Sequence, residues 1–556
     1  MRLPKQARKI KNIRMRKAFL ASLLLWFMPS FSESKDTGIS GRITDEHGRP
    51  VRGVVVSNGL NCVKTDRDGR YQLPSDSLAE FVYCTVPADF QVPVHAPADR
   101  TADFYRQITP GKSTYDFALK RLPNGKETDY ALIVIGDPQV TNAFNPYYEG
   151  PNDSLVQKAD IARLADETMA DIRQTIARDL PKGMPVYAIS MGDNVQYYGG
   201  YNAALQNSVR KVLGSAPMTV FSVIGNHDQD GRSDYQKKWE EAWGPTDYSF
   251  DRGNVHYVCL NNVLFFRGAA YWQPGEITDR QLAWLENDLK LVPADKLVIL
   301  SYHVPFTFGN RPLQGALPAG KGHYASARLT DILRLLSRFS GYELFCGHTH
   351  FAHNSEINLN GVPVLERCHA AVCGNIWQSN VNICGTPNGY YVYRIRNRRI
   401  NNAYFKAVGH PRNEQMKLFK ADADFNKESY AADWNLPKNK GIIVANVFNA
   451  DSKWRVEAIE NGIATPMTRL EAAAVQDAFA TGYHHRYAKA NPYRFYGKAN
   501  AYLSKLSHWY SYQPKDTSAI VTVRATDRYG NVFTATTQDL VAAPFFNYAH
   551  YYKNKK

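Results

Sequence analysis

The chain has 556 residues, of which 44% are hydrophobic and 21% are charged. This composition is typical of a globular protein and excludes general disorder, and the length predicts several domains. The formal net charge is +15, but eight basic residues between Arg2 and Lys17 precede the first acidic residue, which leaves +7 for the rest. That remainder is too modest to indicate a nucleic-acid-binding protein by itself.

Residues 1–32 have the pattern of a secretory signal peptide. The basic segment is followed by an apolar run at 18–28 and then by small residues at Ser30 and Ser32, which is the order found in such signals. This run is too short to cross about 30 Å of hydrocarbon as a helix. We therefore expect export to a periplasm, the cell surface or the medium, with no transmembrane span. An uncleaved anchor and association with a membrane surface remain alternatives.

Residues 36–120 predict a small all-β sandwich. Short β-rich segments alternate here with turn signals, among them the Asp68-Gly69 pair in the middle of a hairpin pattern over 65–73. The N-terminal part of the mature chain is therefore expected to form its own β-domain.

Residues 129–409 change to strands that alternate with amphipathic helices, which is the signature of an α/β domain. Apolar residues recur at helical spacing within 154–180, and a second helix is predicted behind a capping threonine at Thr278. Strand patterns over 389–395 and 403–406 close this domain. A polar, lysine-containing linker is predicted over 410–440, and a second all-β sandwich over 441–556.

Five predicted strands of the central domain end in residues with hydrogen-bonding or metal-binding side chains. Because the carboxyl ends of parallel strands meet at one edge of a sheet, these residues are expected to share a crevice. They are, in chain order, Asp137 and Gln139, then Asp193, then Asn226, His227 and Asp228, then His303, and finally His348 and His350.

This series resembles, in order, the motifs of the calcineurin-like metallophosphoesterases. The family pattern is Asp-x-His, Gly-Asp, Gly-Asn-His-Asp/Glu, a lone His after a strand, and Gly-His-x-His, and this chain departs from it only at Gln139. The resemblance implies a four-layer catalytic domain, a β-sandwich flanked by helices. The N-terminal segment resembles the carboxypeptidase-regulatory-like sandwich, and the C-terminal segment resembles the domain that follows exported bacterial phosphoesterases.

The resemblance also implies two divalent metal ions, about 3.5–4 Å apart in centres of this type. Asp193 would bridge them, Asp137, Gln139 and His350 would complete one, and Asn226, His303 and His348 the other. His227 would be catalytic, with Asp228 setting its orientation. Manganese, iron, zinc and magnesium are all candidates. The hard amide oxygen of Gln139 favours manganese or magnesium, or a first position that is less filled.

The expected substrate is a small phosphorylated molecule, either a phosphomonoester or a phosphodiester. Asn194, His369 and Trp377 are candidates for contacting it, although Trp377 is equally well explained as packing beneath a loop. Two other functions are considered. One is a protein that binds a surface glycan or lipid on a degenerate phosphoesterase scaffold, and the other is a metal-dependent nuclease, for which the only basic run is at 394–399. The sequence predicts no oligomeric state.

Overall fold

The computed structural model describes residues 38–141, 160–197, 200–229, 233–265, 272–308, 327–359, 361–374, 376–377, 380–382, 384–421, 424–425, 428–429, 441–470 and 508–540. The predicted signal peptide and residues 541–556 lie outside these ranges. Within them, no helix is both long and apolar enough to cross a membrane. The α-helices are α1 (Met169–Arg178), α2 (Ala203–Leu213), α3 (Asn226–Gln229), α4 (Ser233–Trp243), α5 (Asp279–Lys290) and α6 (Ala327–Leu336).

The strands fall into three regions of the chain. The N-terminal region has β1 (Ile39–Asp45), β2 (Val55–Ser57), β3 (Cys62–Lys64), β4 (Arg70–Leu73), β5 (Phe81–Cys84), β6 (Val94–Ala96), β7 (Asp99–Ala102), β8 (Tyr105–Gln107) and β9 (Phe117–Leu119). The central region has β10 (Asp129–Ile135), β11 (Val140–Thr141), β12 (Val186–Ser190), β13 (Val195–Gln196), β14 (Thr219–Ser222), β15 (Tyr248–Arg252), β16 (Val255–Leu260), β17 (Val263–Phe265), β18 (Trp272–Pro274), β19 (Leu297–Tyr302), β20 (Gly341–Cys346), β21 (His353–Leu359), β22 (Val362–Cys368), β23 (Gly389–Arg396) and β24 (Arg399–Ala407). The C-terminal region has β25 (Met416–Lys420), β26 (Asp424–Phe425), β27 (Glu428–Ser429), β28 (Ile443–Val447), β29 (Arg455–Glu460), β30 (Ile463–Pro466), β31 (Thr468–Arg469), β32 (Trp509–Tyr512), β33 (Val521–Thr526) and β34 (Val532–Thr536).

Two mixed sheets form the centre of the molecule. The first has the order β24-β23-β10-β12-β14-β7-β6, and the second has the order β15-β16-β19-β20-β22-β21. Strands β10, β12 and β14 run parallel as neighbours in the first sheet, and β16, β19, β20 and β22 do so in the second. Each sheet therefore brings the carboxyl ends of several strands to one edge.

The two sheets pack face to face. Aromatic side chains meet between them, with the rings of Phe221 and Phe250 stacked at 3.5 Å and the hydroxyls of Tyr130 and Tyr257 2.6 Å apart. Along β10, Leu132 and Val134 belong to this inner core, whereas Ala131, Ile133 and Ile135 belong to a second buried cluster. This alternation is the period of a strand that is covered on both faces.

Helices cover the outer faces of both sheets. The second cluster joins the first sheet to α1, α2 and α4 through Ile172, Leu205, Val209 and Trp239. Helices α5 and α6 connect parallel strands of the second sheet, and since the inner face of that sheet is occupied, they lie on its outer face. The result is the expected four-layer α/β arrangement, and α5 begins behind the predicted Thr278 cap, which forms a capping box with Gln281.

The N-terminal region forms two small sheets, β4-β1-β9 and β3-β2-β5-β8. Strands β6 and β7 leave these sheets and extend the first central sheet, where Thr101 pairs with Val220 of β14. The segment predicted as a separate sandwich thus contributes one hairpin to the central fold. The pairing is favourable because β14 would otherwise present an unpaired edge.

The C-terminal region is a sandwich of two four-stranded sheets, β25-β28-β32-β31 and β30-β29-β33-β34, around a common apolar core. Strand β25 lies inside the predicted linker, 410–440, so that boundary is corrected. Its alternating Met416 and Leu418 are buried in the core, and it pairs with β28. Residues 430–440 of the predicted linker lie outside the described residues.

Candidate metal centre

The strand-end residues converge at one edge of the two sheets. Asp137, Asp193 and Asn226 follow β10, β12 and β14, which are neighbours in the first sheet, and His303 and His348 follow the neighbouring strands β19 and β20 of the second. Parallel pairing aligns the ends within each sheet, and face-to-face packing brings the two edges together. The predicted crevice is therefore present.

Four side chains meet at the centre of this edge. The amide oxygen of Asn226 lies 3.0 Å from His303 Nε2 and 2.9 Å from His348 Nδ1, and these two ring nitrogens are 3.2 Å apart. Asp193 Oδ2 lies 3.1 Å from His303 Nε2. The ligand atoms of Asp193, His303 and His348 all fall within 4.8 Å of one another, so a single cation placed among them can contact all three.

The imidazole of His303 is held in a fixed orientation. Its Nδ1 donates to the backbone carbonyl of Met191 at 2.8 Å, which directs Nε2 towards Asn226 and Asp193. A histidine that binds a metal ion usually has its second ring nitrogen engaged in this way. His303 is fully buried, so the ring has no freedom to turn away.

A second group of side chains lies beside the first. The backbone N–H of His348 donates to both carboxylate oxygens of Asp137, at 2.9 and 3.0 Å, and His350 Nε2 lies 3.9 Å from Asp137 Oδ1. Gln139 follows Asp137 by two residues, and its side chain is buried and donates from Nε2 to Oε1 of Gln196 at 2.8 Å. These are the residues predicted to hold the other metal ion.

The buried Oε1 of Gln139 has no hydrogen-bond partner among the described residues, and the buried Oδ2 of Asp193 makes no well-oriented hydrogen bond although it lies 3.1 Å from His303 Nε2. A buried oxygen without a donor costs about 1–3 kcal/mol, so such atoms are rare in folded proteins unless a ligand satisfies them. Both are hard oxygen donors, and the neighbouring imidazoles are suitable nitrogen donors for divalent metal ions. The residues present therefore fit the predicted metal ions.

The backbone is strained at the same positions. Positive φ angles occur at five of the predicted ligands, Asp137, Gln139, Asp193, His348 and His350, with values between 36° and 74°. Each costs about 1–3 kcal/mol and persists only where the surrounding structure enforces it, which is typical of ligand sites. The close approach of the loops also requires Gly225, because a Cβ there would lie 2.1 Å from Oδ1 of Asp193.

The buried charges of the centre influence one another. Burial raises the pKa of Asp137 to about 8 and lowers the pKa of His350 to about 4. Burial acts against ionisation of Asp193 as well, but the imidazoles of His303 and His227 hold its pKa well below the usual range. For His303, burial is outweighed by the Asp193 carboxylate, which raises the pKa to about 9. Burial and the neighbouring carboxylate thus favour the neutral form of Asp137, and the facing imidazole favours the charged form of Asp193.

Asp228 organises the loops rather than the His227 ring. Its carboxylate accepts hydrogen bonds from the backbone N–H groups of Gly225, Asn194 and Val195, at 2.9, 2.9 and 3.1 Å. No hydrogen bond joins it to His227 in the described structure, so the role predicted for Asp228 is corrected. The backbone N–H of His227 instead donates to Oδ1 of Asp193 at 2.8 Å, and His227 is the partly exposed member of the predicted set.

Two predicted substrate contacts are buried away from the crevice. The side chain of Asn194 is engaged with the hydroxyls of Ser190 and Ser222 at 2.6 and 2.8 Å. His369 bonds the Cys346 carbonyl through Nδ1 and the Tyr393 hydroxyl through Nε2, and burial lowers its pKa to about 3. Both residues belong to the interior, and their prediction as substrate ligands is wrong.

Trp377 packs beneath a loop of the site, which was the alternative considered for it. Its indole N–H donates to the carbonyl of Pro138 at 2.7 Å, and the guanidinium of Arg163 lies 5.2 Å from its ring centroid. Since Pro138 separates Asp137 from Gln139, Trp377 supports the backbone that carries both. It is 2% exposed and is a support of the metal centre rather than a substrate contact.

Sequence analysis missed Gln196 and the carbonyl of Met191, which orient Gln139 and His303. A backbone carbonyl has no sequence signal. Gln196 lies three residues after Asp193, which ends a predicted strand. This proximity to a predicted ligand was the one signal for Gln196 in the sequence.

Comparison with known families gives three matches along the chain. Residues 37–122 match the N-terminal domain of calcineurin-like phosphoesterases, residues 130–352 the calcineurin-like phosphoesterase domain itself, and residues 366–533 the C-terminal domain of these proteins. The chain belongs to the calcineurin-like phosphoesterases. All the predicted metal ligands fall within the central match, and the resemblance stated from the motifs is confirmed.

Individual relatives of this calcineurin-like phosphoesterase are distant. A probable cyclic nucleotide phosphodiesterase of Rhodococcus erythropolis is 24% identical over 230 residues, which are 39% of this chain and 70% of that protein. A solved protein serine/threonine phosphatase from Saccharomyces cerevisiae is 14% identical with a TM-score of 0.21, covering 51% of this chain and 82% of its own. Membership of the family makes the chain an enzyme of the metallophosphoesterase class, which uses divalent metal ions.

Proposed function

We propose that this calcineurin-like phosphoesterase is an exported enzyme that hydrolyses a phosphomonoester or phosphodiester at a centre of two divalent metal ions. One observation carries the proposal. The buried oxygen of Gln139 has no hydrogen-bond partner among the described residues, and Gln139 is not part of the cluster of Asp193, His303 and His348 that could hold one ion. An ion held by that cluster alone would leave the Gln139 oxygen without a ligand, whereas a second ion would use it.

The residues have distinct tasks in this reaction. Asp137, Gln139 and His350 would hold one metal ion, Asn226, His303 and His348 the other, and Asp193 would bridge them. When bound, such ions lower the pKa of a coordinated water and neutralise charge on the phosphoryl group. His227 is partly exposed at the rim, and its imidazole is available to give a proton to the leaving oxygen. The backbone N–H of His227 donates to Oδ1 of Asp193, which holds the His227 backbone next to the carboxylate that would bridge the ions.

The name of the curated relative favours a phosphodiester among the possible substrates. Its matched segment spans 39% of this chain, so the likeness supports the chemistry of the central domain alone. The basic run at 394–399 gives little support to a nuclease, because three of its four arginines are engaged in ion pairs. Arg394 and Arg396 pair with Asp129, and Arg398 pairs with Asp295.

Export is supported by the N-terminal sequence. The basic segment and the short apolar run have the order of a secretory signal. Fusion of residues 1–35 to a periplasmic reporter, compared with the same fusion carrying acidic residues within 18–28, tests this part of the proposal. Retention of the unaltered fusion in the cytoplasm would contradict it.

Hydrolysis tests the reaction itself. The protein without residues 1–35 is stripped of metal and reloaded with Mn²⁺, Mg²⁺, Zn²⁺ or Fe²⁺, and is assayed with p-nitrophenyl phosphate, bis-p-nitrophenyl phosphate and a cyclic nucleotide. We expect turnover that depends on metal and is lost in Asp193→Asn, and the ratio of rates separates monoesterase from diesterase.

If no metal ion restores turnover and metal analysis finds less than one ion per chain, the hydrolase proposal fails. Binding of glycans or phospholipids would then be the function to measure. Metal binding without turnover on these three substrates would restrict the failure to the substrate class.

A further inference from the structure

The side chain of Gln139 can turn either an oxygen or an NH₂ group towards the metal position. Its terminal amide carries an oxygen and an NH₂ group of nearly equal size, and rotation about the last torsion is soft. Only the oxygen can bind a cation, whereas an NH₂ group turned towards the metal position would repel it. Some neighbour must therefore select the orientation.

Gln196 is the neighbour that does so. Its Oε1 accepts a hydrogen bond from Nε2 of Gln139 at 2.8 Å, and an amide oxygen can accept but not donate. This single contact fixes the NH₂ group of Gln139 away from the centre. The opposite oxygen, Oε1, is then left buried and without a partner among the described residues. The contact and the unpartnered atom are the two ends of one amide orientation.

The position of Gln196 is itself fixed by a short ladder. Strand β13 pairs in parallel with β11, so that Thr141 is aligned with Gln196, and the backbone N–H of Gln139 donates to the carbonyl of Asp193 at 2.6 Å. The far end of β11 is held by Asp160, which accepts from both the N–H and the hydroxyl of Thr141, at 3.2 and 2.5 Å. Gln196 is only 8% exposed, so solvent competes little for its oxygen.

We propose that Gln196 is a positioning residue that orients the Gln139 amide and thereby sets the affinity of the metal position formed with Asp137 and His350. The inference rests on the proposed function, since it presupposes that this position binds metal. It makes Gln139 and Gln196 one unit that replaces the commoner histidine. An imidazole can present an unprotonated nitrogen in either tautomer and carries no NH₂ group, so Gln139→His is expected to depend much less on the acceptor that Gln196 supplies.

The test uses three substitutions at Gln196 and its partner. Gln196→Met keeps the length of the side chain and removes the acceptor, Gln196→Glu keeps the acceptor, and Gln139→His removes the need for it. The double variant with Gln139→His and Gln196→Met completes a double-mutant cycle. Gln206→Met serves as a matched control, because Gln206 is also a buried glutamine, lies on α2, and through its side chain bonds Tyr197, Tyr201 and Lys238 among the described residues.

The readouts are the affinity and number of Mn²⁺ ions bound by equilibrium dialysis, and the EPR spectrum of the loaded protein. We expect Gln196→Met to lower the affinity for one of the two Mn²⁺ ions by about 10–100-fold, which is the usual effect of losing a residue that hydrogen-bonds to a metal ligand. The EPR signal of a coupled pair should give way to that of a single ion. Gln196→Glu should retain both ions, and Gln206→Met should leave dialysis and EPR unchanged.

In the Gln139→His background, adding Gln196→Met should change the affinity by less than about twofold, because the two sites no longer interact. If Gln196→Met binds two ions as tightly as the unaltered protein, the positioning role is refuted while the phosphoesterase proposal stands. An equal loss in both backgrounds also refutes it, because a general loosening of the ladder would then be the cause. If the unaltered protein itself binds no Mn²⁺, the proposed function fails first, and this inference fails with it.

Discussion

Two buried histidines on neighbouring parallel strands of the second sheet make an instructive pair, His256 on β16 and His303 at the end of β19. Each faces a carboxylate through Nε2, His256 at 2.8 Å from Asp288 and His303 at 3.1 Å from Asp193. In both cases burial disfavours the charged imidazole, yet the neighbouring carboxylates raise the pKa to about 9. By these measures the two clusters are alike.

They differ in how completely their polar atoms are paired. His256 also bonds Asp251 through Nδ1, Asp251 pairs with Lys296, and the second oxygen of Asp288 accepts from the Ser249 hydroxyl. Each of these atoms has a partner. The His303 cluster instead lies beside Oε1 of Gln139, which has no hydrogen-bond partner among the described residues, and its Asp193 Oδ2 faces His303 Nε2 at 3.1 Å without a well-oriented hydrogen bond. A saturated buried network stabilises the fold, whereas an unsaturated one is completed by a ligand. Substitutions in the His256 and His303 clusters should therefore affect stability and metal binding differently.

The largest effect is expected at the metal centre. Asn226→Ala removes a neutral ligand of one metal ion. The affinity for that ion should fall by more than about 100-fold, which exceeds the loss typical of a residue that only orients a ligand. Turnover should fall by a similar factor. The free energy of unfolding of the metal-free protein should change by no more than about 1 kcal/mol. Metal titration and chemical unfolding in chelator check the two expectations. If the variant binds metal normally but unfolds more easily, Asn226 stabilises the fold and is not a metal ligand.

The converse result is expected for the saturated cluster. His256→Ala leaves the buried carboxylate of Asp288 without its charged partner, which typically costs about 3–5 kcal/mol of unfolding free energy, while Asp251 keeps Lys296. Metal content and turnover per folded molecule should stay unchanged. Urea unfolding and metal analysis of the same samples provide the measurement, and a loss of bound metal that matches the loss of activity would show that the two clusters are coupled.

The pH dependence of stability distinguishes the clusters further. The folded pKa of His256, about 9, lies above its ordinary value of 6.5, so its contribution is complete below pH 6.5 and is lost as the pH rises to about 9. The groups that face the ring are Asp251, Asp288 and, beyond Asp251, Lys296. In the metal-loaded protein, the difference in unfolding free energy between the unaltered chain and His256→Gln should shrink by up to about 3 kcal/mol over this window. A difference independent of pH would mean that His256 is neutral.

The smallest effect is expected for the support beneath the metal-binding loop. Trp377→Phe retains the packing but removes the hydrogen bond to Pro138, worth about 1 kcal/mol. Because this bond holds the backbone between Asp137 and Gln139, the affinity for one metal ion should fall by less than about tenfold, and the other should be unaffected. Dialysis against Mn²⁺ measures this affinity. An altered KM with unchanged metal affinity would instead show that Trp377 contacts the substrate.

Much of the site was predictable because its signals are local. Asp137, Asp193, Asn226, His303 and His348 each follow an apolar strand pattern directly, and parallel strands that end together bring such residues to one edge. The cap at Thr278 is equally local, since the capping box involves residues three apart. The hairpin β6–β7 was not predictable as part of the central sheet, because its partner β14 lies more than a hundred residues further along the chain.

The failures have the same physical origin. His369 looks like a loop residue that follows the last motif, yet the end of β22 carries it between the two sheets, where Phe345 and Tyr391 flank its ring. Asn194 adjoins a predicted ligand but turns towards Ser190, at the end of its own strand β12, and towards Ser222 of the neighbouring strand β14. In each case contacts across strands decided the direction of a side chain, and these contacts leave no periodic trace in the sequence.

The sequence by itself determined which ligand types the chain carries, their order, and the strands that present them, because hydrophobic periodicity and motif spacing act over a few residues. The tertiary structure alone decided which polar atoms stay unpartnered. Asn226 and His348 are 122 positions apart and Gln139 and Gln196 are 57 apart, so only the packing of two sheets and the ladder of β11 with β13 places them in contact. The difference between His256 and His303 is of this kind, since it depends on which donors surround each carboxylate in the folded chain.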